Sequence, residues 1–221
     1  MNWQGFWDSD HPIYANSRHR QIHDETLAHE ISAEIKNADM IVLDYACGEA
    51  TAAHRVAEKC ATLILSDGAL TVREKLKKRY QSIANIMVHG PEETARLEDE
   101  TLDLVIVNSL LQYLTRDETS ELITRLHKKL KPGGSLLIGD VIAPDVSALT
   151  DAKALLWFGL RHGFFLAALG GLFRTLFGDY RKIRGALGLT MWEEKDCFRS
   201  SHTQDLTRAG VPKILDIMKH E

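Results

Sequence analysis

"IVLDYACGEATAAHRVA", Ile41 to Ala57, is the stretch on which the fold turns. An apolar run stops on Asp44, three small residues follow (Ala46, Cys47, Gly48), and then comes a segment that reads as a helix. A strand buried on both faces reads as such a run. Small residues where a strand hands over to a helix let a ligand approach free backbone N–H groups. Asp44, at the strand end, can orient the loop or accept hydrogen bonds from a cationic ligand.

Similar apolar runs lie downstream: TLILS (62–66), IMVH (86–89), LDLVIVN (102–108) and SLLIGDVI (135–142). Between them lie the helix-like segments TAAHRVAEKC, LTVREKLKKRYQSI, ETARLEDE and RDETSELITRLHKKL. In the last of these, Leu122, Ile123, Leu126 and Leu130 form one apolar stripe, and KPGG (131–134) ends the helix. Short buried strands alternating with helices imply an α/β fold, a Rossmann-like doubly wound and mostly parallel sheet with a ligand site at the strand C-termini.

The second strand also ends on an acid. Asp67 lies 23 residues beyond Asp44 and is followed by Gly68. An acid at that place in a Rossmann-like sheet accepts hydrogen bonds from ribose hydroxyls. A dinucleotide site wants G-x-G-x-x-G in the first loop to seat a pyrophosphate. Here the loop is Ala46-Cys47-Gly48-Glu49-Ala50. A glutamate beside pyrophosphate is unfavourable, whereas beside a sulfonium or an amino group it is tolerable. The reading therefore tilts to S-adenosylmethionine.

These motifs, as an ordered set over residues 40–142, resemble the class I S-adenosylmethionine-dependent methyltransferases. VLDYACGEA is similar to their first motif, LILSDGA to the acid-bearing second strand, and VHGPEE stands where they carry an adenine-contacting loop. LDLVIVNSLLQYL resembles the fourth strand and vestibule, and LKPGGSLLIGDVI the fifth-strand motif. The resemblance implies that Asp44, Ala46 and Gly48 line the methionine portion and that Asp67 holds the ribose, with Cys47 and Gly68 beside them also cofactor-binding. It further implies that Gly90, Pro91 and Glu92 flank the adenine, and that Asn108, Ser109 and Gln112 lie near the sulfonium and the acceptor. Ala46 and Ala50 replace family glycines, which is harmless only if their backbone angles stay in the ordinary region. The family sheet closes with a hairpin of two strands. VPKILDIMKHE supplies one, so the final hairpin strand is expected to be missing, and an uncovered edge would favour a homodimer.

The remaining segments suggest a four-part organisation within a single domain of 221 residues: an N-terminal lid (1–38), a cofactor-binding core (39–142), a hydrophobic and basic helical lobe inserted after strand five (143–199), and a terminal helix and strand (200–221). In the lid, Arg18 could pair a methionine carboxylate, and His11, Tyr14, His19 and His23 are candidate bases; Gln112 joins them as a candidate catalytic residue. His19 and His23 have no third or fourth ligand spaced nearby, so no metal is expected.

The lobe is greasy and basic. Residues 151–192 hold six bases against two acids, a net of +4 that leaves −8 on the rest of a chain whose net charge is −4. Arg161 and His162 inside the apolar run argue against a bilayer span. A substrate-covering lobe or an interfacial helix remains, and either suits a greasy or anionic acceptor. A charged fraction of 26% without a basic excess excludes an ordinary nucleic-acid binder. Asn108-Ser109-Leu110 is also not the motif of base N-methylation. Three cysteines (Cys47, Cys60, Cys197) without CxxC spacing, and no secretory apolar region at the start, lead to an expected cytoplasmic location with peripheral membrane contact.

The functional expectation is in-line methyl transfer from S-adenosylmethionine to a small-molecule or lipid-like acceptor. The alternatives are a methyltransferase-like partner protein that binds without catalysing, and a nicotinamide-dependent oxidoreductase.

Overall fold

The computed structural model describes residues 16–140, 148–177 and 216–219. In chain order these form α1 (Ser17–Glu34), β1 (Ile41–Tyr45), α2 (Ala53–Ala57), β2 (Thr62–Ser66), α3 (Leu70–Tyr80), β3 (Ile86–His89) and α4 (Pro91–Ala95). Then come β4 (Leu102–Asn108), a 3-10 turn (Leu111–Tyr113), α5 (Arg116–Lys129), β5 (Leu130–Gly139), α6 (Ala148–His162), α7 (Phe165–Phe177) and β6 (Asp216–Lys219).

Successive side chains of a strand point to opposite faces, so an uninterrupted apolar run needs two cores. Both are present. Val42, Leu63, Leu65, Leu104 and Ile106 pack with Ala28 and Ile31 of α1, Val56 of α2, and Val72, Leu76 and Tyr80 of α3. Leu43, Ile64, Val105, Val107 and Ile138 pack with Leu122 and Leu126 of α5. Leu122, Ile123 and Leu126 of the stripe read from sequence thus form the face of α5 that covers the second side of the sheet, while Leu130 is the first residue of β5. A capping box starts α5: Glu118 N–H donates to Thr115 Oγ1, and Thr115 N–H donates to the Glu118 carboxylate.

The strand order is β3-β2-β1-β4-β5-β6. The first five strands are parallel and β6 runs antiparallel beside β5. One strand closes the sheet beyond β5 among the described residues, where the family has a hairpin pair. KPGG ends α5 as expected, but the chain enters β5 at once: Leu130 pairs Leu102, and a register shift follows before Ser135 pairs Leu104. Gly134 has no alternative there, since a Cβ would sit 2.9 Å from the Lys131 carbonyl oxygen and 3.1 Å from that of Leu102.

Helix limits were less legible. The fourth helix is Pro91–Ala95 rather than 93–100, because Pro91 suits a first turn and the Glu93 carboxylate accepts the Gly90 N–H. Of the terminal segment, the expected helix lies outside the described residues, and the expected strand is β6.

Candidate active site

Parallel pairing with Tyr45 opposite Ser66 and Val107, and Asn108 opposite Gly139, brings four strand ends to one edge. A cavity of about 750 Å³ opens there. Its floor holds Asp44, Ala46, Cys47 and Gly48 from β1 and its loop, Asp67 and Gly68 from β2, and Asn108 and Ser109 from β4. Pro91 and Gln112 also line it, as does His19 from α1. Of the thirteen described residues read from sequence as methionine-, ribose-, adenine- or acceptor-side groups, ten line the cavity and three fall elsewhere.

Those three are corrections. Arg18 is exposed and does not line the cavity. The helix turns about 100° per residue, so His19, His23, Leu27 and Ile31 share the cavity face and Arg18 is rotated off it. Arg20 lines the cavity instead. Gly90 is not a lining residue: it caps α4 and lies against Arg73. Glu92 points to solvent, with its side chain 88% exposed and an ion pair to Arg96. His11 and Tyr14 lie outside the described residues.

The first loop is held from three sides. Gly48 N–H donates to Asp67 Oδ2 at 2.9 Å, and Cys47 N–H donates to the Ser66 carbonyl at 3.1 Å. Asp24 of α1 accepts both the N–H and the hydroxyl of Thr51. Burial alone would raise the Asp24 pKa, but hydrogen bonds from His23 and Thr51 outweigh it and hold the group below its ordinary value. Tyr80 reaches the same loop, donating to the Ala50 carbonyl and accepting the Ala53 N–H.

Glu49 requires a second correction. Its carboxylate is held by Arg20 at 3.1 Å, Lys75 at 3.1 Å and Arg79 at 3.8 Å. Burial pushes its pKa up, yet the Lys75 hydrogen bond and these three charges bring it down. A neutralised Glu49 discriminates little between a sulfonium and a pyrophosphate. Asp44, by contrast, is 7% exposed and has neither a hydrogen bond nor an ion pair among the described residues. Burial, and then the charge of Asp67, push its pKa up to about 7. Burial, with Asp44 and Asp67 nearby, also keeps the Cys47 thiol protonated. Two acids on one floor, with no neutralising base beside Asp44 among the described residues, suit a cation better than a phosphate.

Backbone strain concentrates at the same edge. Ala46 (φ 59°), Ser109 (φ 54°) and Asp140 (φ 52°), each the first residue after its strand, are left-handed without being glycine. The ordinary backbone angles on which the alanine-for-glycine replacements depended are therefore absent, at Ala46 and also at Ala50 (φ 36°). Asp140 is a lining residue outside the sequence-derived set, because SLLIGDVI reads as one strand while β5 ends at Gly139. An acid directly after Gly139, as Asp44 and Asp67 follow their own runs, was the available signal. Its carboxylate accepts the Ser109 hydroxyl, and Asn108 Nδ2 donates to Ser109 Oγ at 3.0 Å. Gln112 Oε1 is buried with no hydrogen-bond partner among the described residues, so a ligand N–H or O–H would satisfy it. His19 stacks on Phe164 at 4.9 Å, and burial, followed by the charge of His23, lowers its pKa.

A family model described as a methyltransferase domain matches residues 42–134. Over that segment the chain is similar to methyltransferase domains. Phosphoethanolamine N-methyltransferase 1 of Triticum aestivum is 37% identical over 59 residues, 27% of this chain and 12% of that protein. The YcgJ protein of Bacillus subtilis has 19% identity and a TM-score of 0.49, over 61% of this chain and 57% of that one. An S-adenosylmethionine-dependent methyltransferase of Mesorhizobium loti has 16% identity and a TM-score of 0.44, over 52% of each chain. The strand edge fits S-adenosylmethionine: Asp67 suits a ribose diol, Asp44 suits the cationic tail, and the small loop residues leave room between them.

Proposed function

We propose that the chain is a methyltransferase that uses S-adenosylmethionine and acts on a small-molecule or lipid-like acceptor. The observation that carries this reading is the pair Asp44 and Asp67 on neighbouring strand ends of one cavity, the first buried without a counter-charge among the described residues. Bound S-adenosylmethionine supplies an electrophilic methyl group on a sulfonium, already a good leaving group. The chain's own contribution is then mainly positioning. Asp67 accepts from the ribose hydroxyls, while Asp44 offers charge to the cationic end of the ligand. Gln112 Oε1 and the Ser109–Asp140 pair orient the acceptor. His19, kept neutral by its burial, takes a proton where the acceptor is a hydroxyl or an ammonium group; His11 and Tyr14 are proposed for the same task.

The short match to a protein named for phosphoethanolamine methylation supports an acceptor of small-molecule size. We assign the lid to 1–38, the core to 39–142, the lobe to 143–199 and the closing segment to 200–221. Self-association through a sheet edge belongs to the same proposal, and a solution mass of two chains would support it.

Calorimetry with S-adenosylmethionine, S-adenosylhomocysteine and a nicotinamide dinucleotide tests the ligand. Tritiated methyl transfer into an extract, separated into lipid, small-molecule, protein and nucleic-acid fractions, tests the reaction. Label in the first two fractions is the expected result. Binding without transfer would make the chain a partner protein, and binding of the dinucleotide alone would overturn the reading.

A further inference from the structure

The α6–α7 hairpin presents two unlike faces. Its inner face is closed: Phe164 and Ala168 are buried against Ile22 of α1, with Leu155, Leu156, Phe158 and Ala167 around them. Gly163 (φ 80°) makes the turn. Gly159 lets the two helices touch, since a Cβ there would lie 3.1 Å from both Phe165 Cα and Ala168 Cβ. With one face satisfied, the outer face of a hairpin in water should be polar. It is not: Trp157 is 66% exposed, Leu160 62% and Leu166 80%, with Phe165 beside them.

Cations accompany these apolar groups. Lys153, Trp157, Leu160 and Arg161 follow helical spacing along one side of α6, and all four are exposed. Neither Lys153 nor Arg161 forms an ion pair with a described side chain. The sequence adds Arg174, Arg181, Lys182 and Arg184, within the 151–192 segment of net charge +4.

We propose that this hairpin docks on an anionic lipid surface, with Trp157, Leu160 and Leu166 seated among the lipids and Lys153 and Arg161 at the phosphates. Apolar side chains next to unpaired bases match the two layers of a bilayer surface, and tryptophan favours the boundary between them. No described helix is long and apolar enough to cross a membrane, so the hairpin lies on the surface. A second copy of the chain is the poorer occupant, because a symmetric contact would set Lys153 and Arg161 against their own mates. Phe164 stacks on His19, which lines the cavity, so docking brings the cavity wall close to the lipid headgroups.

The test uses the full chain and reads binding, not methyl transfer, so it stands or falls apart from the proposed reaction. Vesicles of phosphatidylcholine alone are compared with vesicles of equal parts phosphatidylcholine and phosphatidylglycerol by cosedimentation. The anionic vesicles should bind at least about tenfold better, from two cations near the surface. Trp157→Glu with Leu166→Glu should lower that binding about tenfold or more, and Lys153→Glu with Arg161→Glu should do so at low salt. Because these positions are exposed, far-UV dichroism and melting should stay as in the parent. Brominated acyl chains should quench the parent's fluorescence, and the part contributed by Trp157 should vanish in Trp157→Phe. Equal binding to both vesicles, or unchanged binding in Trp157→Glu with Leu166→Glu, overturns the proposal. So does a halving of the solution mass by those same substitutions, which would assign the face to a second copy.

Discussion

Asp67 Oδ2, at the end of β2, accepts the backbone N–H of Gly48 at 2.9 Å, while its Oδ1 accepts that of Ala69 at 2.8 Å. One carboxylate thus fixes the first loop and the entry to α3 together. A carboxylate has about four acceptor sites, more than these two N–H groups use. Asp67→Asn sets an amide donor against one of those N–H groups and removes one acceptor. Affinity for S-adenosylhomocysteine should fall about ten- to hundredfold. The parent should also prefer adenosine to a diol-free analogue, and the variant should lose most of that preference. Calorimetry on both ligands checks this, and an undiminished preference would show that Asp67 serves only the loop.

Tyr80 caps a helix that is not its own. No side chain caps the start of α2, where Ala52 stands, and the Tyr80 hydroxyl takes the Ala53 N–H instead while donating to the Ala50 carbonyl. The Ala53 N–H also reaches the Ala50 carbonyl at 3.0 Å, so Tyr80→Phe removes one of its two acceptors together with the hydroxyl's own bond to Ala50. The expected loss is about 0.5–1.5 kcal/mol of stability, read as a lower urea midpoint with unchanged slope. Cofactor affinity should weaken as the loop loosens.

The strands were legible because burial on both faces writes itself as an unbroken apolar run: 62–66, 86–89 and 102–108 are the observed limits of β2, β3 and β4. Asp44 and Asp67 were legible because acids interrupt such runs at the ligand edge. The rotation that turns Arg18 away and Arg20 inward depends on where α1 docks, which its own sequence does not state. The neutralisation of Glu49 needs Arg20, Lys75 and Arg79 from two separate helices. The left-handed angle at Ala46 was hidden by a residue that normally avoids it.

That angle can be tested directly. A left-handed alanine costs roughly 1–2 kcal/mol, and glycine gives back part of the gain through its freer unfolded chain. Ala46→Gly should raise stability by up to about 1 kcal/mol and leave cofactor affinity the same or better. A thermal midpoint below the parent's would mean that the alanine methyl makes contacts that outweigh its strain.

Asp44 makes the chain sensitive to pH in a fixed direction. Its folded pKa is raised from 3.8 to about 7, so between these values the folded state holds a proton that the unfolded state has released. Stability from this group is therefore full at low pH and is lost as pH rises from about 4 through about 7. A cationic ligand favours the ionised form, so its binding releases the proton and its affinity should move the other way. Affinity for S-adenosylmethionine should rise about tenfold from about pH 5.5 to about pH 7.5, with proton release measurable by calorimetry in buffers of different ionisation enthalpy. Asp44→Asn should flatten both profiles. It should stabilise the free protein above about pH 7, where the buried charge is otherwise present, and weaken cofactor binding there about ten- to hundredfold. Parallel pH profiles for parent and variant would place the cationic end of the ligand elsewhere.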